Sequence, residues 1–255
     1  MPDSLIEWKP PRLAQRPGRH MPDLAAGHLH EIHAGEEDRA AAMAFALSAI
    51  RAGNGKAPAE TPAETLAEPL FLVRWRSGSC PAVLCGEGLA MLGLAPARLV
   101  IVEAGNELEL LRAGLEAARC PGVGAILLET RGRLAGYDLT ASRRLALAAE
   151  RTRGRVIVLR IAAAPRPSAA QTRWSVAGAP SVPLAADAPG WPAIDVELLR
   201  RRDGPAGGRW RLEWDAEQGS FRETGDETAI PGTVVALSSL RTGAAGGRSF
   251  DPRAA

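Results

Sequence analysis

Lysine is almost missing from this sequence. Of the 31 basic residues among its 255, only Lys9 and Lys56 are lysines, so arginine supplies the other 29. An arginine fork suits phosphates and carboxylates better than an ammonium does. A GC-rich coding sequence would give the same bias with no function attached, and a formal net charge of +2 is too small to demonstrate nucleic-acid binding. Cysteine is also scarce. Cys80, Cys85 and Cys120 leave an odd thiol and match no zinc or disulfide framework, so they read as reduced, partly buried thiols. No apolar run approaches the roughly 20 residues of a membrane span, and Met1 to Pro11 holds no apolar signal-peptide core. The expectation is a cytoplasmic protein with no membrane partner. Aromatics make up only 4% of the chain, but the hydrophobic share is 46%. At this length that is enough for the core of one α/β domain with extensions.

Residues 1–24 carry five prolines and no hydrophobic periodicity, which reads as an irregular arm. His28 to His33 alternates polar with apolar and then meets Ala34-Gly35, as a strand entering a turn does. From Glu36 the pattern is helical: Ala40, Met43, Ala44, Leu47 and Ile50 share a face, acids occupy the first turn, and Gly53 follows the end. Asn54 to Pro69 reads as a surface loop. Leu70 to Trp75 and Leu99 to Val102 read as strands, with a short helix between them over Glu87 to Leu94. Asn106 caps the next helix with Glu109 three residues on, and Leu108, Leu111, Leu115 and Ala118 are expected to form its buried face. Val123 to Leu128 is apolar throughout, as a buried parallel strand is. Thr140 is the expected cap of a helix running to about Arg153, and Val156 to Ile161 is a further strand. Strand–helix alternation of this kind predicts a mostly parallel sheet flanked by helices. Ile194–Val196–Leu198 and Trp210–Leu212–Trp214 then alternate around a Gly204–Gly208 turn, an antiparallel hairpin at one edge of the sheet. Beyond Thr224 the chain is polar and Gly-rich, apart from Thr233 to Leu240. The implied organisation is an arm over 1–24, a core over 25–223 and a largely flexible extension over 224–255.

The first strand–turn–helix is the place for a phosphate cradle, which needs glycines, a lysine for the β and γ phosphates and a Ser/Thr for magnesium. The turn reads Ala34-Gly35-Glu36-Glu37-Asp38-Arg39-Ala40-Ala41. It has one glycine, Gly35, and no lysine. Three successive carboxylates sit where a phosphate site uses the positive helix end. Arg39 is the one residue that could stand in for the lysine, and Glu129 lies where a magnesium-organising acid would follow a strand. The loop is degenerate, with no expected cofactor and no expected catalytic residue. His28, His30 and His33 do not form a metal set, because His33 points away from the other two on a strand and no Cys or carboxylate completes it.

Laid end to end, these elements resemble the RecA core. Within it the chain is similar to the ImuA family, RecA-like accessory proteins of bacterial damage-inducible mutagenesis cassettes. The likeness spans about residues 28–215. It is carried by Leu29-His30-Glu31-Ile32, by Leu139-Thr140-Ala141-Ser142-Arg143-Arg144-Leu145, by Thr172-Arg173-Trp174 and by Val196-Glu197-Leu198-Leu199-Arg200. The resemblance implies a non-catalytic adaptor in SOS-induced translesion DNA synthesis. Its implied partners are an ImuB-like inactive polymerase homologue and an error-prone DNA polymerase III alpha-type subunit, with RecA and single-stranded DNA as further candidates. Family members have also been labelled cell-division inhibitors of the SulA type, so an inhibitor of division polymers stays open, as does a residual DNA-stimulated ATPase. By analogy with RecA-like cores, DNA would meet the loops Thr130–Leu139 and Ala162–Arg173, through Arg131, Arg133, Arg166 and Arg173. Candidate partner contacts are Trp8 in the arm and Arg143, Arg144 and Arg151 on the intervening helix. Trp210, Leu212 and Trp214 read as one buried face.

Overall fold

The computed structural model describes residues 23–52, 68–75 and 84–224. Residues 1–22 of the arm with Trp8, Cys80, most of the Asn54–Pro69 loop, and Thr233–Leu240 lie outside them, while Leu24, expected in the arm, is buried in the core. Met1–Gly225 and Asp226–Ala255 are separate units, and every described residue belongs to the first.

Along the chain run β1 (Leu29–Ala34), α1 (Arg39–Ala52), β2 (Leu70–Trp75), α2 (Gly86–Met91) and β3 (Leu99–Ala104). After these come α3 (Glu107–Arg119), β4 (Ala125–Arg131), α4 (Leu139–Thr152), β5 (Arg155–Ile161) and β6 (Thr172–Ala179), then β7 (Ala193–Arg201), β8 (Arg209–Asp215) and β9 (Ser220–Glu223). They build one nine-stranded sheet in the order β3-β2-β4-β5-β1-β6-β7-β8-β9. Pairings from β3 through β6 are parallel; β6–β7, β7–β8 and β8–β9 are antiparallel. The expected hairpin is therefore β7–β8, and it extends the sheet in its own plane. No helix among the described residues is long and apolar enough to cross a membrane.

Alternation along the strands feeds two cores, one on each side of the sheet. Ile32, Leu72, Leu127, Ile157 and Leu159 point to the face covered by α1, where they meet Phe45, Ile50, Trp174 and Trp210. Leu29, Val73, Ile126, Leu128, Val156 and Val158 point to the face covered by α3 and α4. Strands buried on both faces are largely apolar, and each fully buried Leu, Ile or Val contributes about 1.5–3 kcal/mol. Trp210, Leu212 and Trp214 are buried as one face, with Trp174 stacked at an angle to Trp210, ring centroids 5.9 Å apart.

Several expectations need correction. The helix after β1 begins at Arg39, so Glu36, Glu37 and Asp38 form the turn and none lies in the first helical turn. In α3 the buried residues are Leu110, Gly114, Ala117 and Ala118, while Leu108 is exposed. Gly114 permits this, because a Cβ there would collide with Leu128 of β4 and small residues let the helix lie close to the sheet. The Asn106–Glu109 cap is present and reciprocal: Glu109 N–H donates to Asn106 Oδ1 at 2.9 Å, and Asn106 Nδ2 to Glu109 Oε1 at 2.7 Å. The cap of α4 is Asp138, whose Oδ1 accepts from Ala141 N at 2.7 Å, and not Thr140. The expected loop Ala162–Arg173 ends earlier, since β6 begins at Thr172. Cys85 and Cys120 are exposed thiols, not partly buried ones.

Candidate functional site: a self-neutralised turn beside a buried charge network

The degenerate turn is held by its own side chains. Arg39 leads α1 and donates Nε–H to Glu129 Oε1 at 2.5 Å, and this bond raises its pKa. The Glu129 side chain is 7% exposed, so its charge is neutralised largely out of water. Glu36 pairs with Arg131 at the end of β4, 2.8 Å apart. Asp38 Oδ1 accepts the Gly178 amide of β6 at 2.7 Å, and the Asp38 carbonyl accepts Ala42 N at 3.0 Å in the first turn of α1. Gly35 leads into this turn, where a Cβ would come within 2.9 Å of the Glu37 carboxylate. Glu36, Asp38 and Arg39 thus satisfy their charges within the protein instead of leaving them for a ligand. Between α1 and α2 lies a cavity of about 220 Å³ with apolar walls (Met43, Leu47, Leu89 and Leu92 among them) and the Arg39–Glu129 pair at one end.

A second group of polar residues was not visible in the sequence as a unit. β1 lies between β5 and β6, and its register sets His30 beside Thr172, Glu31 beside Arg173 and Ile32 beside Trp174. Two of the motifs that carry the family resemblance are therefore adjacent strands. Glu31, 2% exposed, accepts Arg173 Nε–H and the Tyr137 hydroxyl, each at 2.7 Å. Burial alone would raise its pKa, but His33, Arg173, Ser168 and Tyr137 outweigh burial and hold it down to about 2. Burial, and then the Glu31 charge, push the Tyr137 hydroxyl well above its ordinary value. The Arg160 guanidinium lies 5.2 Å from the centre of the Tyr137 ring, and burial lowers its pKa. On the other side of Glu31, Trp174 Nε1–H donates to Thr172 Oγ1 at 2.7 Å, Thr172 lies 2.7 Å from His30 Nδ1, and His30 Nε2 is 2.9 Å from the Ala25 carbonyl. His33 Nδ1 is 3.0 Å from the Ala163 carbonyl. A charged residue inside a strand buried on both faces was the available signal for this network. Its partner could not be inferred without the register.

The four arginines expected to meet DNA do not form one surface. Arg131, Arg133 and Arg166 are exposed, and Arg131 is tied to Glu36. Arg173 is corrected: it is a buried strand residue whose guanidinium is taken by Glu31, by Ser168 Oγ at 2.9 Å and by the Arg166 carbonyl. A phosphate would have to break that pairing to reach it. Arg143, Arg144 and Arg151 all lie exposed on α4.

No family model matches the chain. It is 40% identical over 143 residues to Protein ImuA of Caulobacter vibrioides, in strain NA1000 / CB15N and in strain ATCC 19089 / CIP 103742 / CB 15. Those residues are 52% of this chain and 57% of each relative. Over that stretch the chain is similar to ImuA. The chain spans just over half the length of the curated relatives it matches. Among solved structures it is similar to the RadB recombinase, with TM-score 0.50 and 12% identity, covering 79% of this chain and 92% of that one. At that identity the likeness establishes the fold, which is RecA-like: a mostly parallel sheet between helices with antiparallel strands at its C-terminal side.

A RecA-like fold implies a magnesium nucleotide at the turn after β1, and the residues present do not fit one. Amides must converge on phosphate, yet the turn presents three carboxylates and a single glycine. Ala40 and Ala41 carry no oxygen for magnesium, and the Glu129 carboxylate is already bound by Arg39.

Proposed function

We propose that the chain is a non-catalytic RecA-like adaptor in SOS-induced translesion DNA synthesis and mutagenesis. Its partners in this reading are an ImuB-like inactive polymerase homologue and an error-prone DNA polymerase III alpha-type subunit. The likeness to ImuA supports the pathway. The observation that supports the absence of catalysis is the Arg39–Glu129 pair, which occupies with internal charge the position from which nucleotide chemistry would be organised. A fixed core of this kind suits constant binding better than a nucleotide-driven cycle. The test is ATP hydrolysis with magnesium, with and without single-stranded DNA: turnover should not exceed the buffer blank. Magnesium-dependent turnover that vanishes in Arg39→Ala would show a working site and refute the reading. Co-purification with the two polymerase partners tests the adaptor role itself.

Direct DNA contact belongs to the same proposal and falls to Arg131, Arg133 and Arg166. Binding through them is sequence-independent and salt-sensitive. Losing one phosphate contact to a single strand lowers the log–log salt slope by about 0.7. An affinity unchanged when all three are replaced by alanine would remove DNA from the proposal.

A further inference from the structure

The outward face of α4 has a pattern that the core does not use. Ser142, Leu145, Ala148 and Ala149 turn inward. The opposite face carries Leu139, Arg143, Arg144, Leu147 and Arg151, with Glu150 as its one carboxylate. Leu139 is 58% exposed and Leu147 is 52% exposed. Eight residues apart on a helix, they stand about 12 Å from each other along its axis. By helical geometry Leu147 lies at the middle of the face, between Arg143 on one flank and Arg151 and Arg144 on the other.

The charges on this face are open. Arg119 has Glu116, Arg131 has Glu36 and Arg211 has Asp195. Arg143, Arg144 and Arg151 have no ion-pair or hydrogen-bond partner among the described residues. Exposed leucines set among unpaired arginines describe a surface that lacks both its apolar cover and its counter-charge.

We propose that α4 docks an acidic amphipathic helix of a partner protein. Two apolar side chains about two turns apart on that helix would cover Leu139 and Leu147. Carboxylates flanking them would meet the arginine forks, a geometry in which arginine outperforms lysine. A nucleic-acid backbone matches the charge but offers nothing to cover the leucines, so a protein segment is the occupant the face selects. This inference rests on the adaptor reading only in taking the partner to be a protein.

The test uses the full chain and two probes. One is a fluorescein-labelled peptide of roughly 18 residues, about five helical turns, with leucines at helical spacing flanked by glutamates; a scrambled peptide of the same composition is its control. The other is the purified ImuB-like protein. Wild type should bind the patterned peptide, the scrambled one should not, and affinity should fall with added salt. Leu147→Gln should weaken binding about tenfold, the loss of roughly half a leucine's burial. Arg143→Glu with Arg144→Glu should abolish it, with circular dichroism and Tm unchanged in both variants. Equal binding of the two peptides, or variants that bind as wild type does, overturns the proposal. So does a single-stranded oligonucleotide that depends on the arginines and displaces the peptide, if peptide binding is indifferent to Leu147→Gln. If the ImuB-like protein binds wild type and variants alike, the α4 assignment is wrong and the adaptor reading stands. If it binds none of them while the patterned peptide still binds wild type, the adaptor's partner is wrong and the α4 site stands.

Discussion

His30 should make the fold acid-sensitive well above the range in which carboxylates titrate. It sits in a directional chain: the Trp174 indole donates to the Thr172 oxygen, the Thr172 hydroxyl donates to His30 Nδ1, and His30 Nε2–H donates to the Ala25 carbonyl. A proton on Nδ1 would turn the Thr172 oxygen into an acceptor from both rings and deprive the hydroxyl's own hydrogen of its acceptor on His30. Burial is the largest cause lowering the His30 pKa to about 4, from 6.5, and the Arg155 and His28 charges add to it. Because the folded value is the lower one, the unfolded chain takes up this proton first. The stability contribution is complete above pH 6.5 and is lost as pH falls through about 4. At about 1.4 kcal/mol per pH unit, the whole window is worth on the order of 3 kcal/mol. Urea titrations at half-unit intervals from pH 7 to pH 4 should show this slope. A His30→Asn variant should be less stable at pH 7 but flatter across the window. An equal slope in wild type and variant would refute the reasoning.

Two further outcomes are expected. Arg173→Met strips Glu31 of its buried cation and should cost about 3–5 kcal/mol, measured as a lower urea midpoint at pH 7; a cost below 1 kcal/mol would mean that Glu31 is not held by this pair. Asp138→Ala removes the α4 cap and should cost about 1 kcal/mol, whereas Thr140→Ala should cost less, an order that thermal melts can check.

The sequence made the parallel half readable because most of its buried strands are apolar runs and α3 and α4 carry side-chain caps. The apolar runs Leu70–Val73 and Val156–Leu159 show this directly. β6 escaped notice for the opposite reason. Thr172–Ala179 mixes polar, aromatic and small residues, since it buries Trp174 on one side and an ion pair on the other. The face of α3 is centred on Leu110, Gly114, Ala117 and the expected Ala118 instead of on Leu108, Leu111 and Leu115, because close approach to a sheet favours small side chains that carry no hydrophobic signal of their own. At the degenerate turn, the missing lysine and the excess of carboxylates were plain from the letters alone. That Glu36 and Asp38 would bind Arg131 and the Gly178 amide was not, because those contacts cross 95 and 140 residues of sequence.

The place of β1 in the sheet also orders events on the ribosome. Both of its neighbours, β5 and β6, lie far downstream, with Leu29 pairing Val156 and His30 pairing Thr172. At roughly 5–20 residues per second, the first core strand to be made waits many seconds for either partner. β2, β3 and β4 can already pair with one another in that interval. Until β5 arrives, an apolar segment bearing a carboxylate and three imidazoles within and beside it stays uncovered in the nascent chain. The charge that the finished sheet hides so deeply then keeps that segment hydrated, and delays its association with other chains, while the rest of the sheet is synthesised.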